Sequence, residues 1–426
     1  MAERPATPST IASVVSAAQA GDVILMGLGT YPSLPRKSGL TYRAFDHGEP
    51  GRAVKDTRGH LGQGFQVRVT DFLGGSYSGV TYEGIFWDTR ERRGINGAVL
   101  SGRDVGFLGC VAVDRPTDGS RRIMLTPLGP STSQPFEGFV WSEGRVHLQG
   151  KWKDTHDHPF YLKHCLRPRI TDSLIYDAGW FPLHLYPNCD EGDFSGLVIW
   201  GCGSAAAFSA ENASANPSAG LTGASERNRL ARSIIGAGHG RPGGQSGGGG
   251  YLIESYAPSG APRPVGNVVE WCFLTRFGGT AQLVQPGIGD RVALVDCVTG
   301  DADPGFTDPA GGDFRLRPGS PALGYGPAWI QPQGAPPPPP PPDPEPEPPP
   351  PPPLPNPHRI SPELRSALSE RVLHRMAQQQ GRALALAARF EERREAGYAE
   401  RAREVAVNTD LLVAEVAELL DGAEEA

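Results

Sequence analysis

Leu162, Leu185 and Phe208 stand twenty-three residues apart, the first two inside the similar phrases FYLKHC and LHLYPNC. Cys272 and Cys297, closing NVVEWC and RVALVDC, repeat at twenty-five. A fixed period in the low twenties leaves room for three short strands and their corners. Each coil can then return above its own start at the sheet spacing of about 4.8 Å, which is the requirement of a β-solenoid. If Leu162, Leu185 and Phe208 line the bore, strand alternation turns Tyr161 and Lys163, His184 and Tyr186, and Ala207 and Ser209 outward. The repeat is architecture before it is chemistry.

The rest of the first 330 residues fits that reading. Short apolar runs such as GVTYEGIFWD, DVGFLGCVAV, GLVIWGC and YLIESY alternate with glycine and polar turns, without helical periodicity. Before them, Ser9 or Thr10 can cap a short helix with Ile11, Val14, Val15 and Ala18 on one face, ended by Gly21. Glycine (56) and proline (43) make up nearly a quarter of the 426 residues, which disfavours a compact helical protein.

The AQAGDVILMGLGTY opening, the GLTYRAF phrase, the DVGFLGC runs and the closing DFRLRPGSPALGYG together resemble the right-handed parallel β-helix, or pectin-lyase-like, superfamily over about residues 10–325. The resemblance implies an all-β solenoid whose final phrase forms the last coil. It says little about activity, because that superfamily includes lyases, hydrolases, epimerases and phage tailspike or fibre proteins. Its shared theme is a long polysaccharide laid along one face.

After Trp329 the composition changes. Residues 336–357, PPPPPPPDPEPEPPPPPPLPNP, read as a polyproline II spacer about 70 Å long at roughly 3.1 Å per residue. Ser361 and Pro362 then open a helical segment with Leu364, Leu368 and Val372 on one stripe. Beyond Gly397, the positions Tyr398, Ala402, Val405, Thr409, Leu412, Val416 and Leu419 follow coiled-coil spacing. Self-association through this seam and docking on another component both fit. The expected organisation is an N-terminal arm and cap helix (1–22), a parallel β-helix (23–330), a proline-rich linker (331–358) and a helical oligomerisation or docking segment (359–426).

A formal charge of −7 gives no footprint for a phosphate backbone, so nucleic acid is disfavoured. No apolar h-region follows a basic start, and no run of eighteen apolar residues occurs, so neither Sec export nor membrane insertion is expected. The six cysteines (110, 165, 189, 202, 272, 297) include no CxxC pair. Free, mostly buried thiols in a reducing compartment are expected, with a Cys165–Cys189 bridge left open.

A lyase must neutralise a uronate carboxylate, take a proton from carbon and protonate the leaving oxygen. Lys163, His184 and Tyr186 are the candidate catalytic groups, while Tyr161, Trp180, Tyr186 and His158 are candidate sugar contacts. Asp190, Glu191 and Asp193 in the following turn are candidate calcium ligands. The same strip can equally be a passive stacking platform or a ladder of cross-coil pairs. Asp154, His156, Asp157 and His158 in DTHDHP more often hydrogen-bond locally than hold a metal. Asp177 and Asp190 are conceivable glycosidase partners, although no spacing selects them. The Gly-His-Gly of GAGHGRPGGQSGGGGY (236–251) superficially resembles polygalacturonases, but that family's other motifs are missing, and a protruding loop is expected. Cys110, Cys272 and Cys297 read as small interior side chains.

The expectation is a virion-associated spike or fibre that binds host surface polysaccharide. It would be made in the host cytoplasm, form a homo-oligomer for which a trimer is one option, and meet other virion proteins through its C-terminal helices. The alternatives are a polysaccharide lyase or hydrolase working on the same face, and a purely structural virion component.

Overall fold

The structure is a computed structural model. It describes residues 1–47, 65–71, 75–89, 98–113, 123–127, 135–147, 158–211, 215, 221–239 and 250–332. The proline-rich run, the helical segment and its heptads, and most of DTHDHP lie outside the described residues.

Among the described residues, twenty-seven strands pair in parallel, in a register consistent with a parallel β-helix of three sheets. One column of sheet A runs Ile24, Tyr42, Tyr82, Phe107, Trp141, Ile170, Phe194, Leu230 and Val269, each the register partner of the next. Sheet B stacks Tyr31, Val69, Trp87, Ala112, Val146, Ile175, Ile199, Ile235 and Leu274. In sheet C, Leu162 pairs with Leu185 and Leu185 with Phe208, all three fully buried, as the twenty-three-residue period requires. These columns form one apolar core. Aromatic stacking inside it is continuous, with Tyr42–Tyr82 at 5.4 Å, Tyr82–Phe107 at 5.0 Å and Phe107–Trp141 at 5.4 Å.

Single residues with left-handed backbone make the corners on either side of sheet A. Gly21, Gly39, Gly79, Asp104, Gly138, Arg167, Glu191, Arg227 and Gly266 stack where the chain enters that sheet. Gly84, Gly109, Glu143, Asp172, Gly196, Arg232, Trp271 and Asp296 stack where it leaves. One αL residue turns the strand sharply without disturbing the next coil's register. At the non-glycine positions the turn costs about 1–2 kcal/mol each, which the packed core must offset. Buried amides stitch the same corner. The Asn228 amide donates to Asn267 Oδ1 at 3.0 Å and to the Cys189 carbonyl at 2.7 Å, while Asn228 Oδ1 accepts from the Gly192 N–H at 2.9 Å.

The cap helix spans Ile11–Ala17 and buries Ile11 and Val15, with Ala18 beside them. It ends before Gly21. Lys37 Nζ donates to the carbonyls of Val15, Ser16 and Ala18, supplying the partners that a helix C-terminus lacks. The arm ahead of the helix is itself a strand, Glu3–Ala6, paired in parallel with Val23–Met26. At the opposite end, no further coil follows Val298–Gly300 among the described residues. Ala293–Val295 and Val298–Thr299 are exposed, with Leu294 at 38% and Val298 at 45% of full exposure.

The closing phrase departs from the expected last coil. Asp313–Leu316 pairs antiparallel with Phe306–Asp308, and this hairpin lies on the outside of sheet B. Phe306 meets Trp200 at 5.1 Å and Phe314 meets Tyr176 at 5.1 Å, while Ile330 joins Leu174, Val198 and Ile234 in the same outer cluster. The reason is legible afterwards: SLIY, GLVIW and SIIG are apolar at successive positions, so sheet B must be buried on both faces.

Candidate functional site

The three sheets present different outer surfaces. Sheet B is covered over the coils of Leu174, Val198, Ile234 and Phe273 by the hairpin and its apolar neighbours, and Phe65 packs with Phe86, Val111 and Val113 on earlier coils. Sheet A carries ion pairs between coils, among them Arg43–Glu83, Arg229–Glu270 at 2.5 Å and Arg229–Asp193 at 3.4 Å. Sheet C carries rings.

On its strands His158–Leu162 and Leu183–Leu185, the outward Tyr161 is the register partner of His184, and their rings meet edge to face at 4.8 Å. Tyr186 lies 5.4 Å from His184 and 6.1 Å from Tyr161. His158 is 4.5 Å from His184 and stacks flat on Phe181 at 5.8 Å; Phe181 in turn meets Trp180 at 5.0 Å. The ring cluster thus joins two adjacent coils. Tyr161, Lys163, His184 and Tyr186 are partly exposed, whereas His158 (1%) and Trp180 (5%) are buried beneath them. These last two, expected as sugar contacts, are a floor rather than a surface. Two coils further on, Tyr256 is 57% exposed on the same face.

Burial raises the Tyr161 phenol above the usual tyrosine range, with Tyr186 and Glu211 adding to the effect. Burial likewise pushes Tyr186 up to about 12, helped by the Glu211 carboxylate that its hydroxyl meets. Both phenols therefore stay protonated near neutral pH and can act as hydrogen-bond donors. Glu211 escaped the sequence reading because it follows the last phrase of the repeat, where no period marks it.

The expected calcium ligands do not converge. Asp190 is buried and accepts the Glu226 N–H at 2.8 Å, Glu191 pairs with Arg227 at 3.3 Å, and Asp193 pairs with Arg229 at 3.4 Å. Strand alternation and the αL turn at Glu191 send the three carboxylates in different directions. Among the described residues no three His, Cys, Asp or Glu side chains come together to hold a metal. Nor do Asp177 and Asp190 form a glycosidase pair. Asp177 follows sheet B and bonds His147 at 2.9 Å, while Asp190 sits on the Cys189–Asp190 strand leading into sheet A.

Burial raises the Asp190 carboxyl to about 7, with the Glu226 carboxylate adding to the shift against the N–H bond it accepts. A carboxyl with a raised folded-state pKa stabilises the fold at low pH and loses that contribution as pH rises through the folded value. Asp190→Asn should therefore abolish part of the stability loss between about pH 4 and 7 and be the more stable protein above pH 7. Urea midpoints of both proteins across that range would show it, and parallel curves would contradict it.

All six cysteines are free, and five are buried; Cys165 and Cys189 are register neighbours without a bridge. Burial drives the Cys110 thiol up to about 12, as suits an inert interior side chain. In the Gly-His-Gly phrase, burial pulls His239 down to about 4, and residues 240–249 lie outside the described residues. No helix among the described residues is long and apolar enough to cross a membrane.

No protein-family model matches the chain, and no curated protein matches it in sequence. Among solved structures, a mannuronic-acid-specific polysaccharide lyase of family 6 from the human gut microbiota is similar at 9% identity, over 71% of this chain and 87% of that one, with a TM-score of 0.24. The parallel register of the strands defines the fold.

Proposed function

We propose that this chain binds an extended polysaccharide along the outer face of sheet C. What supports the reading is one observation: Tyr161, His184 and Tyr186, partly exposed, bring their rings together across adjacent coils. Coils repeat at about 4.8 Å, so successive pyranose rings of a chain laid along the solenoid axis can meet successive aromatic side chains. Lys163 beside the rings gives the strip a cation for an acidic sugar. The biological setting we propose is a virion-borne spike or fibre. The order of solenoid, proline-rich spacer and heptads in the sequence suits a homo-oligomer that displays its solenoid away from the particle, and the exposed apolar side chains of the coil at 292–300 suit self-association.

The test is affinity electrophoresis on a panel of acidic and neutral polysaccharides, with the same mixtures assayed for new reducing ends and unsaturated products. Retardation by at least one glycan without product supports a binding protein. Product lost in His184→Ala would make the face a lyase or hydrolase site, and no retardation anywhere would leave a structural component.

A further inference from the structure

We propose that Cys272 and Cys297 form a redox modification site: a dithiol that exchanges with a low-molecular-weight disulfide and closes into a bond between the last two described coils. The inference does not depend on the glycan face.

Glu270 pairs with Val295 and Phe273 with Val298, so Cys272 and Cys297 between them occupy the same register position on adjacent coils. Each follows a left-handed residue, Trp271 or Asp296, which gives the two cysteines the same local backbone. Their thiols are placed alike. Cys272 Sγ lies 3.3 Å from the Glu270 carbonyl oxygen, and Cys297 Sγ lies 3.4 Å from that of Val295. Cys297 Sγ also leans back onto the coil of Cys272, 3.3 Å from the Val269 carbonyl oxygen. The two thiols hydrogen-bond each other, and that contact holds Cys297 below the usual cysteine range, while burial raises Cys272. The sheet spacing of about 4.8 Å falls within the Cα separation of roughly 4.4–6.8 Å that a disulfide spans. Closure requires the Cys272 side chain to turn toward Cys297, giving up only weak S–H contacts to the Leu230 and Glu270 carbonyls.

Access separates this pair from the other stacked one. Cys165 and Cys189 are also register neighbours, but both are fully buried in the middle of the solenoid. Cys272 is fully buried too, whereas Cys297 is partly exposed on a coil that no further coil follows among the described residues. Cys297 is therefore the attacking thiol. Its thiolate bonds to one sulfur of the small disulfide, whose S–S bond breaks, and the thiolate released takes up the proton that Cys297 lost. Cys272 then loses its proton, attacks the Cys297 sulfur and expels the second small thiol, which receives that proton. Two protein thiols are oxidised, and one small disulfide is reduced to two thiols. The Asp296 and Glu270 carboxylates oppose thiolate formation, but at Cys297 the hydrogen bond from Cys272 outweighs them. A chain made in reducing surroundings carries the dithiol, and transfer into oxidising ones closes it.

Peptide mapping of the full-length protein after incubation with oxidised glutathione tests this. Accessible thiols are blocked with one maleimide before unfolding, and the remaining ones with an isotopically distinct maleimide afterwards. Trypsin cuts after Arg276 and Arg291, which puts the two cysteines in separate peptides. The expected result is an intact chain two hydrogens lighter, a linked Cys272–Cys297 peptide pair, and Cys165 and Cys189 labelled only after unfolding. Cys272→Ser should stop at a glutathione adduct on Cys297, and Cys297→Ser should leave Cys272 unmodified. The Val298 N–H donates to the Cys272 carbonyl, and its hydrogen exchange should slow about tenfold in the oxidised protein, because the bond restrains local opening of the last coil. Unaltered protein in which both cysteines stay thiols, in which a glutathione adduct persists without closing, or in which the bond links two chains overturns the inference, whether or not the serine variants fold. So does a Cys165–Cys189 bond that forms as readily, since access would then not select the pair.

Discussion

Replacing Trp141 by alanine is expected to cost about 3–5 kcal/mol of stability, the range for emptying a buried tryptophan site. The indole is fully buried on the interior column of sheet A. It lies 5.4 Å from Phe107 on one neighbouring coil and 5.5 Å from Phe160 of sheet C, so its removal opens a void between two sheets. The parallel ladder fixes coil spacing, and neighbouring coils cannot close that gap without breaking register. Gly144 is part of the same fit, because a Cβ there would come within 2.6 Å of Trp141 Cε2. Trp141→Phe should cost much less, about 1.5 kcal/mol or below, as it keeps an aromatic in the stack. Denaturant midpoints at unchanged slope would measure both. An alanine variant within 1 kcal/mol of the parent, on the order of a surface change, would mean that the ring is not in the core.

The second large effect concerns the outer face. Tyr186→Ala should reduce polysaccharide affinity about tenfold, and Tyr161→Ala with Tyr186→Ala about a hundredfold, if each ring contributes roughly 1.4 kcal/mol of stacking and hydrogen bonding. Tyr186→Phe retains the ring and should retain most of the affinity. Because burial and Glu211 hold the Tyr186 phenol up to about 12, binding should show no tyrosine-linked loss from pH 7 to about pH 10. Lys163→Met should weaken acidic glycans and flatten their salt dependence while leaving neutral ones unchanged. Isothermal titration of folded variants would check each outcome. Unaltered affinity in the double variant would place the glycan elsewhere or remove it altogether.

The interior of sheet C was legible because two successive coils there have equal length. Leu185 follows its register partner Leu162 by twenty-three residues, and Phe208 follows Leu185 by twenty-three. Elsewhere the spacing between facing residues is 29 for Ser142 and Thr171, 36 for Gly192 and Asn228, and 39 for Asn228 and Asn267. Insertions at the corners hide such coils from any fixed period. The αL corners were equally hidden, since Arg167, Glu191, Arg232 and Trp271 occupy backbone that normally announces itself as glycine. Alternation placed Tyr161, Lys163, His184 and Tyr186 on one face, but it could not show that His158 lies beneath them. That depends on the turn bringing Phe181 under the histidine ring. The carboxylates at 190, 191 and 193 looked like a metal site because sequence proximity does not record direction. The hairpin at 306–316 looked like another coil because DFRL carries the same alternation as the parallel strands.

A shared outer face on sheet C requires coils stacked in parallel at one spacing, and spin-label distances measure that directly. In a Cys297→Ser background, labels at Thr41 and Arg169 are separated by four steps of sheet A, and labels at Thr41 and Ala293 by eight. At about 4.8 Å per step, double electron–electron resonance should give backbone separations of about 19 Å and about 38 Å, the second twice the first. Two similar distances, or a second shorter than the first, would mean that the chain does not coil and that the rings of sheet C share no common face.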